Sequence, residues 1–289
     1  MAQDPENVRK VALITGNLYR FSRNHLTYCV DFSRVPGSSC GIGAATAVQF
    51  ATLGYRLSLY ALNIPADEAG LAETKSRCLT ANPQLTSDDI VTMTGDLTVE
   101  ENCHFLIAKT IETFKRIDVL VANAGIVSAS RLENMKMEDF DKVMNINCRV
   151  VVLMNKLVIP YLSETKGNII NVSSVAGIRA CTDMMAYCMS KAAIAQLTRC
   201  AASELASKGI RVNAVCPGII GNTEIFSNAG LSKELQDFTF ERAKSTHPLG
   251  RAGTPEEVAK SIAFLASEEH ASFLTGVTLP VDGGRCVSS

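Results

Sequence analysis

The 289-residue chain lacks an excess of charge of either sign. It carries 28 lysines and arginines against 29 aspartates and glutamates, for a net charge of −1. Balanced, scattered charge gives no electrostatic footprint for nucleic acid or an anionic membrane surface. The chain also lacks an apolar run approaching the roughly 20 residues of a membrane span. Its first ten residues, Met1 to Lys10, are polar and hold no apolar segment of a secretory signal. These absences set the expectation of a soluble, cytoplasmic protein with no membrane or nucleic-acid partner. Internal repeats and low-complexity tracts are missing too. Ten cysteines stand at positions 29, 40, 78, 103, 148, 181, 188, 200, 216 and 286, but no two are spaced Cys-x-x-Cys, and the four histidines do not cluster with them. That pattern gives no support to a metal site and reads as small hydrophobes kept reduced.

What is present is a chain that is 47% hydrophobic, ample for one sizeable core, so residues 1–289 are expected to form a single domain. Apolar β-rich runs alternate with helical patterns. Strands are expected at 8–15, 56–60, 90–94, 118–123, 168–172, 211–215 and 277–281. Helices are expected at 42–53, 67–80, 100–114, 137–162, 184–207 and 255–265, the last with Thr254 as cap and Pro255 at its first position. Continuous apolar strands alternating with helices predict an α/β fold, a parallel sheet covered on both faces. Ligands of such sheets bind at the carboxyl ends of the strands, near the point where strand order reverses.

Three residues in the middle of the chain carry chemistry: Ser174, Tyr187 and Lys191. Tyr187 and Lys191 are spaced i, i+4 and share a face if the segment is helical. An ammonium beside a phenol favours the phenolate, so the tyrosine is expected to move from its usual pKa of about 10 toward neutrality. A serine at a neighbouring strand end would share the substrate oxygen. Such a proton-transfer site for a carbonyl/alcohol pair needs a hydride carrier beside it. A Tyr-x-x-x-Lys pair by itself is an ordinary helix-surface contact; the surrounding motifs give it weight.

The first strand ends in Thr15-Gly16, and Gly37-Ser-Ser-Cys-Gly41-Ile-Gly43 opens a helix. Glycines here let the backbone approach a pyrophosphate that also meets the helix N-terminus. Residues 17–36 interrupt this turn, where about 2–6 residues is usual. Removing 17–37 leaves Thr15-Gly16-Ser38-Ser39-Cys40-Gly41-Ile42-Gly43, a complete phosphate loop, so the segment reads either as translated noncoding sequence or as a surface excursion. Its presence is expected to weaken cofactor binding. Asp96 follows the third strand, where its carboxylate would accept from an adenine amino group or cap a helix. After the fourth strand, Asn123-Ala124-Gly125 would let a ring lie against the backbone. After the second strand comes Asn63, where NAD readers usually carry an acid. The missing acid removes repulsion toward a 2′-phosphate and favours NADP(H) over NAD(H).

These pieces together resemble the short-chain dehydrogenase/reductase family in its shorter single-domain form, from about residue 8 to 284. The matching residues are Thr15-Gly16 with Gly41 and Gly43, Asp96, Asn123-Ala124-Gly125, Asn147, Ser174, Tyr187, Lys191, Pro217-Gly218, and the tail from Gly250 to Glu257 and from Leu274 to Gly284. The resemblance implies a Rossmann-like sheet of seven strands and an NAD(P)-dependent oxidoreductase, commonly a homodimer or homotetramer. It implies Tyr187 as acid/base and Lys191 on the nicotinamide ribose and acidifying the tyrosine. It implies Ser174 on the substrate carbonyl and Asn147 holding a water that links the lysine to solvent. The cofactor would meet Gly16, Ser39, Gly41, Ile42, Gly43, Asn63, Asp96, Leu97, Asn123, Ala124, Gly125, Tyr187, Lys191, Pro217, Gly218, Ile220 and Thr223. The stretch from Gly218 to Thr223 is one residue longer than the commonest family spacing, and Ala122 stands where the family usually has a second asparagine. The segment between Gly218 and His247, with Phe226, Leu231, Phe238 and Phe240, is expected to cover the substrate. The competing functions are a nucleotide-sensing module on the same fold and an impaired enzyme whose loop is broken by residues 17–37.

Overall fold

The computed structural model describes residues 9–16, 41–221, 223 and 232–288. Seven parallel strands form one sheet: β1 (Val11–Thr15), β2 (Arg56–Ala61), β3 (Ile90–Thr94), β4 (Val119–Ala122), β5 (Asn168–Val172), β6 (Arg211–Pro217) and β7 (Thr278–Val281). Their order is β3-β2-β1-β4-β5-β6-β7. The chain winds outward from β1 in one direction and then returns to β4 to wind in the other, so the reversal lies between β1 and β4. Register aligns Thr15 with Tyr60 and Ala122, Ala122 with Asn171, and Val172 with Val215. The carboxyl ends of the four central strands therefore open onto one crevice.

Every residue of β1, β4, β5 and β6 is buried, which accounts for their unbroken apolar character. Alternation sorts side chains to two faces. Leu13, Leu120 and Ile169 join one core with α3 (Glu100–Phe114) and α5 (Val151–Thr165), while Ala12, Ile14, Val121 and Ile170 join another with α1 (Gly41–Thr52) and α2 (Pro65–Ala81). The first face also carries α4 (Met137–Met144) and α6 (Met185–Leu205); the second carries α8 (Pro255–Ala266). α7 (Lys233–Thr246) lies between β6 and α8 in the chain. Thr254 caps α8 as expected, accepting from the Glu257 N–H at 3.4 Å while the Glu257 carboxylate accepts from the Thr254 N–H at 2.8 Å.

The sequence departs from the structure in three places. The helix expected over 137–162 runs without a break from Met137 to Thr165, but widens into a π-helical stretch at Asn145–Val150. It ends where Lys166 takes a left-handed φ of 52° and Gly167 sits against the Asp118 carbonyl, leaving no room for a Cβ. Part of the expected lid is a regular helix, α7. Finally, the 29-residue helix Met137–Thr165 contains an 18-residue window of mean hydropathy 1.3, long and apolar enough by length and composition to cross a membrane, although the sequence shows no unbroken apolar run of that length; half of that window is buried inside the fold. Residues 17–40, including Ser39, lie outside the described residues, as do Val8, Phe226 and Leu231.

Candidate active site

β5 delivers the chain to Ser173 and Ser174 at the crevice. The Ser173 hydroxyl donates to the Lys191 carbonyl at 2.8 Å, and the Ser174 Oγ accepts from the Ala176 N–H at 3.1 Å, capping the short turn Val175–Gly177. That turn is pressed onto α6. A Cβ on Gly177 would lie 2.6 Å from the Lys191 backbone, so only glycine permits this approach. α6 in turn buries Tyr187, Ser190 and Lys191, as the i, i+4 spacing predicts.

Tyr187 and Lys191 do meet. The Lys191 Nζ lies 5.7 Å from the centre of the Tyr187 ring and donates to the Val172 carbonyl at 2.9 Å. The Ser174 side chain faces the phenol and favours its ionised form. The expected acidic phenol is not found. Burial pushes the Tyr187 phenol up to about 12, outweighing the Ser174 side chain that pulls it down, and the nearby Cys188, Cys181 and Cys216 thiols add to the rise. Burial also lowers the Lys191 ammonium to about 8. Both groups are at most 7% exposed, and desolvation penalises each charged form. The tyrosine is therefore held as a protonated acid.

Asn147 sits in the π-helical stretch, fully buried. Its Oδ1 accepts from the Ile126 N–H at 2.8 Å, and its Nδ2 donates to the Ile126 carbonyl at 2.9 Å and the Ser190 hydroxyl at 2.9 Å. Both amide donors are spent on clamping the loop after β4 to α6. What remains able to hold a water is the second lone pair of Oδ1 and the backbone carbonyls of the widened turn. Gly125 lies on the same loop. A Cβ there would stand 3.2 Å from both the Lys191 Nζ and the Asn147 Oδ1.

Gly125, Ser174, Tyr187 and Lys191 floor a cleft of about 540 Å³ whose lining runs from Gly41 to Arg285; Asn147 is buried behind that lining. Of the cofactor residues expected from sequence, Gly41, Ile42, Gly43, Asn123, Gly125, Tyr187, Lys191, Pro217, Gly218, Ile220 and Thr223 line it together. Thr223 faces the start of α1, its Cγ2 3.5 Å from where a Gly41 Cβ would be. Gly16 and Ala124 are buried beside the cleft without lining it, and Leu97 is buried in the core, so only its backbone is available to a ligand. Asn63 is exposed beyond β2. The Asp96 Oδ1 accepts from the N–H and hydroxyl of Thr98 at 2.8 and 2.7 Å, a local turn ahead of α3; it does not cap that helix, whose N-cap is Val99.

A dinucleotide fits this cleft on two observations. α1 opens at Gly41, φ 55°, with no acidic residue in its first turn, so its N-terminal N–H groups face a phosphate unopposed. Gly125 leaves open the space above Lys191 that any side chain would take.

His247 carries no functional signal in the sequence. It is 2% exposed, and its Nε2 accepts from the Ile219 N–H at 3.2 Å, so it props the chain just after Pro217-Gly218. Burial and the Arg285 charge lower its pKa, keeping it the neutral acceptor this contact requires. No local spacing announces a contact across 28 residues.

A family model described as Enoyl-(Acyl carrier protein) reductase matches residues 37–285. The chain is 37% identical over 254 residues to a 3-oxoacyl-[acyl-carrier-protein] reductase of Thermotoga maritima, covering 88% of this chain and 96% of that protein. It is 38% identical over 252 residues to a 3-oxoacyl-[acyl-carrier-protein] reductase of Synechocystis, covering 86% and 94%. The chain belongs to the short-chain dehydrogenase/reductase family. A short-chain dehydrogenase/reductase of unknown function from Caenorhabditis elegans, solved with cofactor, superposes with a TM-score of 0.84 at 31% identity, covering 99% of this chain and 98% of that one. Levodione reductase superposes at 0.82 with 30% identity, covering 97% and 98%. As a member of this family the chain is an NAD(P)-dependent oxidoreductase.

Proposed function

We propose that the chain moves a hydride between NADP(H) and a ketone/secondary-alcohol pair, with Tyr187 as the acid/base. The observation that carries this reading is the meeting of Tyr187, Ser174 and Lys191 on the cleft floor. Two hydroxyls converging on one point suit a reacting oxygen better than the carbon–carbon double bond that the matched model's description would require. The relatives' names describe reduction of a 3-oxoacyl group, which is a ketone.

When bound, the nicotinamide supplies or accepts the hydride. Gly41, Ile42 and Gly43, with Ser39, would hold its pyrophosphate. Asn123, Gly125, Pro217, Gly218, Ile220 and Thr223 would enclose the nicotinamide end; Asn63, Asp96 and Leu97 would meet the adenosine end. Asn63 brings no carboxylate to repel a 2′-phosphate. In the reducing direction negative charge grows on the carbonyl oxygen, where the Ser174 and Tyr187 hydroxyls donate. A phenol near 12 starts the step protonated, as an acid must. The Lys191 ammonium, fixed by the Val172 carbonyl, then faces the phenolate that remains. Asn147 positions the loop and helix that carry these groups, and a water at its remaining lone pair or at the π-turn carbonyls would return the proton.

The test is Tyr187→Phe, prepared with and without residues 17–37. Cofactor-fluorescence titration is expected to show unchanged binding in the shortened protein, with turnover reduced about 10²–10⁴-fold. A wild-type rate overturns the assignment. A second reading, an enzyme impaired by its interrupted phosphate loop, is favoured by the repair that deleting 17–37 makes; it stands if the shortened protein binds cofactor at least tenfold tighter and falls if the two bind equally.

A further inference from the structure

Three cations gather in the cleft. Arg179 follows the turn that Ser174 caps, Arg242 lies on α7, and Arg285 lies on the C-terminal tail; all three line the same cleft as Tyr187. They are held close together. An Arg179 Nη1 donates to the Arg285 carbonyl, and the Arg285 Nη1 donates to the Thr246 carbonyl at 3.2 Å. The positive charges of Arg179 and Arg242 add to burial in lowering the Arg285 pKa, the signature of cations crowded without compensation. Among the described residues none of the three pairs with a carboxylate. The acid on the same tail, Asp282, spends both oxygens on backbone N–H groups, Gly284 at 3.0 Å and Cys286 at 2.7 Å.

Assembling three like charges costs free energy unless something repays it. A guanidinium has five N–H donors in a fork matched to a carboxylate. Arg179 and Arg285 use one each on backbone carbonyls, and the Arg242 guanidinium shows no partner among the described residues. We propose that Arg179, Arg242 and Arg285 form an anion subsite, and that the carbonyl substrate is a small oxo acid whose carboxylate docks there while its ketone meets Tyr187 and Ser174. This rests on the ketone reading above. The short arm follows from the lining: the three arginines border the same cleft as Tyr187 and Ser174, so one small molecule can present a ketone to the hydroxyls and a carboxylate to the guanidiniums.

Two matched pairs decide it, assayed with the full chain and with the protein lacking 17–37. One is 4-oxopentanoate against its methyl ester. The other is acetoacetyl coenzyme A against the acetoacetyl thioester of N-acetylcysteamine. We expect kcat/KM to favour the free acid over its ester by about tenfold, as charge-assisted hydrogen bonds would. The ratio should fall toward one in Arg242→Gln and further in Arg242→Glu, with the loss mainly in KM. Arg242 is exposed on its helix, so these variants should fold; Arg179→Gln serves as a second variant. Equal use of acid and ester, insensitive to Arg242, overturns the subsite while leaving the ketone reading intact. A charge preference confined to the thioester pair overturns the short-carboxylate assignment. If no compound is reduced, the ketone reading fails instead, and calorimetric titration of acid and ester into wild type and Arg242→Glu reads the subsite directly: tighter acid binding lost in the variant supports it, and equal binding overturns it.

Discussion

The floor and the rim of the cleft are made by opposite means. On the floor and just behind it, Asn147, Ser174, Tyr187 and Lys191 are at most 8% exposed, and Asn147 and Lys191 are tied to backbone groups of the loop after β4 and of β5. On the rim, Phe238 is 61% exposed, Arg242 is exposed, and the three arginines share their charge with no acid among the described residues. Burial with satisfied hydrogen bonds fixes one geometry and shifts pKa values. Exposure with unspent donors fixes none and awaits a ligand. The floor therefore suits chemistry common to many substrates, and the rim suits the choice of one. Damage to the floor should lower kcat, whereas damage to the rim should raise KM for particular substrates.

The strongest way to break this contrast is Lys191→Met. It removes the only cation on the floor among the described residues without changing the length of the side chain greatly, and turnover is expected to fall about 10²–10⁴-fold. The pH dependence sharpens the result. Burial sets Lys191 near 8 and Tyr187 near 12, so reduction, which uses the charged lysine and the protonated phenol, should weaken in kcat/KM as pH rises through about 8. The residual activity of Lys191→Met should lack that break. Stability moves the other way over the same range. The unfolded lysine, near 10.5, holds its proton between pH 8 and 10.5 while the folded one has released it, so stability should rise with pH there. From pH 10 to 12 Tyr187 opposes this, since the folded phenol keeps a proton that the unfolded one loses. Chemical denaturation at pH 7, 9 and 11 checks both signs. A pH-independent kcat/KM would mean that the lysine does not act as a cation in the reaction.

Asn147→Leu is the intermediate case. It keeps the volume but leaves the N–H and carbonyl of Ile126 without their side-chain partner in a buried site. A cost of about 1–3 kcal/mol in unfolding free energy is expected, from the desolvation of each unmet group. Because the loop after β4 also carries Gly125 against Lys191, kcat should fall with it while the acid-to-ester preference is unchanged. Loss of that preference would join floor and rim into one unit.

Much of the floor was legible in the sequence because its logic is local. Tyr187 and Lys191 share a helix face through their spacing, and Ser174 and Asn123 follow apolar strands whose ends must align in a parallel sheet. Asp118–Asn123 was expected as a strand, and Val119–Ala122 is one. The rest depends on contacts that no window of sequence contains. The π-helical stretch at Asn145–Val150 lies where Asn147 engages Ile126, 21 residues away. The phenol's raised pKa follows from how completely the folded chain excludes water, and proximity to a lysine did not foretell it. His247 reaches Ile219 across 28 residues, and Arg179 reaches Arg285 across 106. Their types are ordinary surface or core residues until the fold assembles them.

The smallest expected effect provides the control for the others. Thr254→Ala removes the side chain that caps α8, on the face of the sheet opposite α6. Loss of such a cap costs about 1 kcal/mol, and a modest drop in Tm is expected with kcat and the acid-to-ester ratio unchanged. The effect should itself depend on acid. Glu257, the reciprocal partner in the cap, is held down to about 2, first by its hydrogen bond to Arg251 and next by the Thr254 N–H. Its contribution is therefore complete above the ordinary carboxylate pKa and disappears as pH falls toward 2. The Thr254→Ala penalty should shrink over that same interval, because protonation disables the other half of the box in both proteins. If this remote change lowered kcat as Asn147→Leu does, losses on the floor would reflect general weakening of the fold, and the contrast between a fixed floor and an adaptable rim would fall.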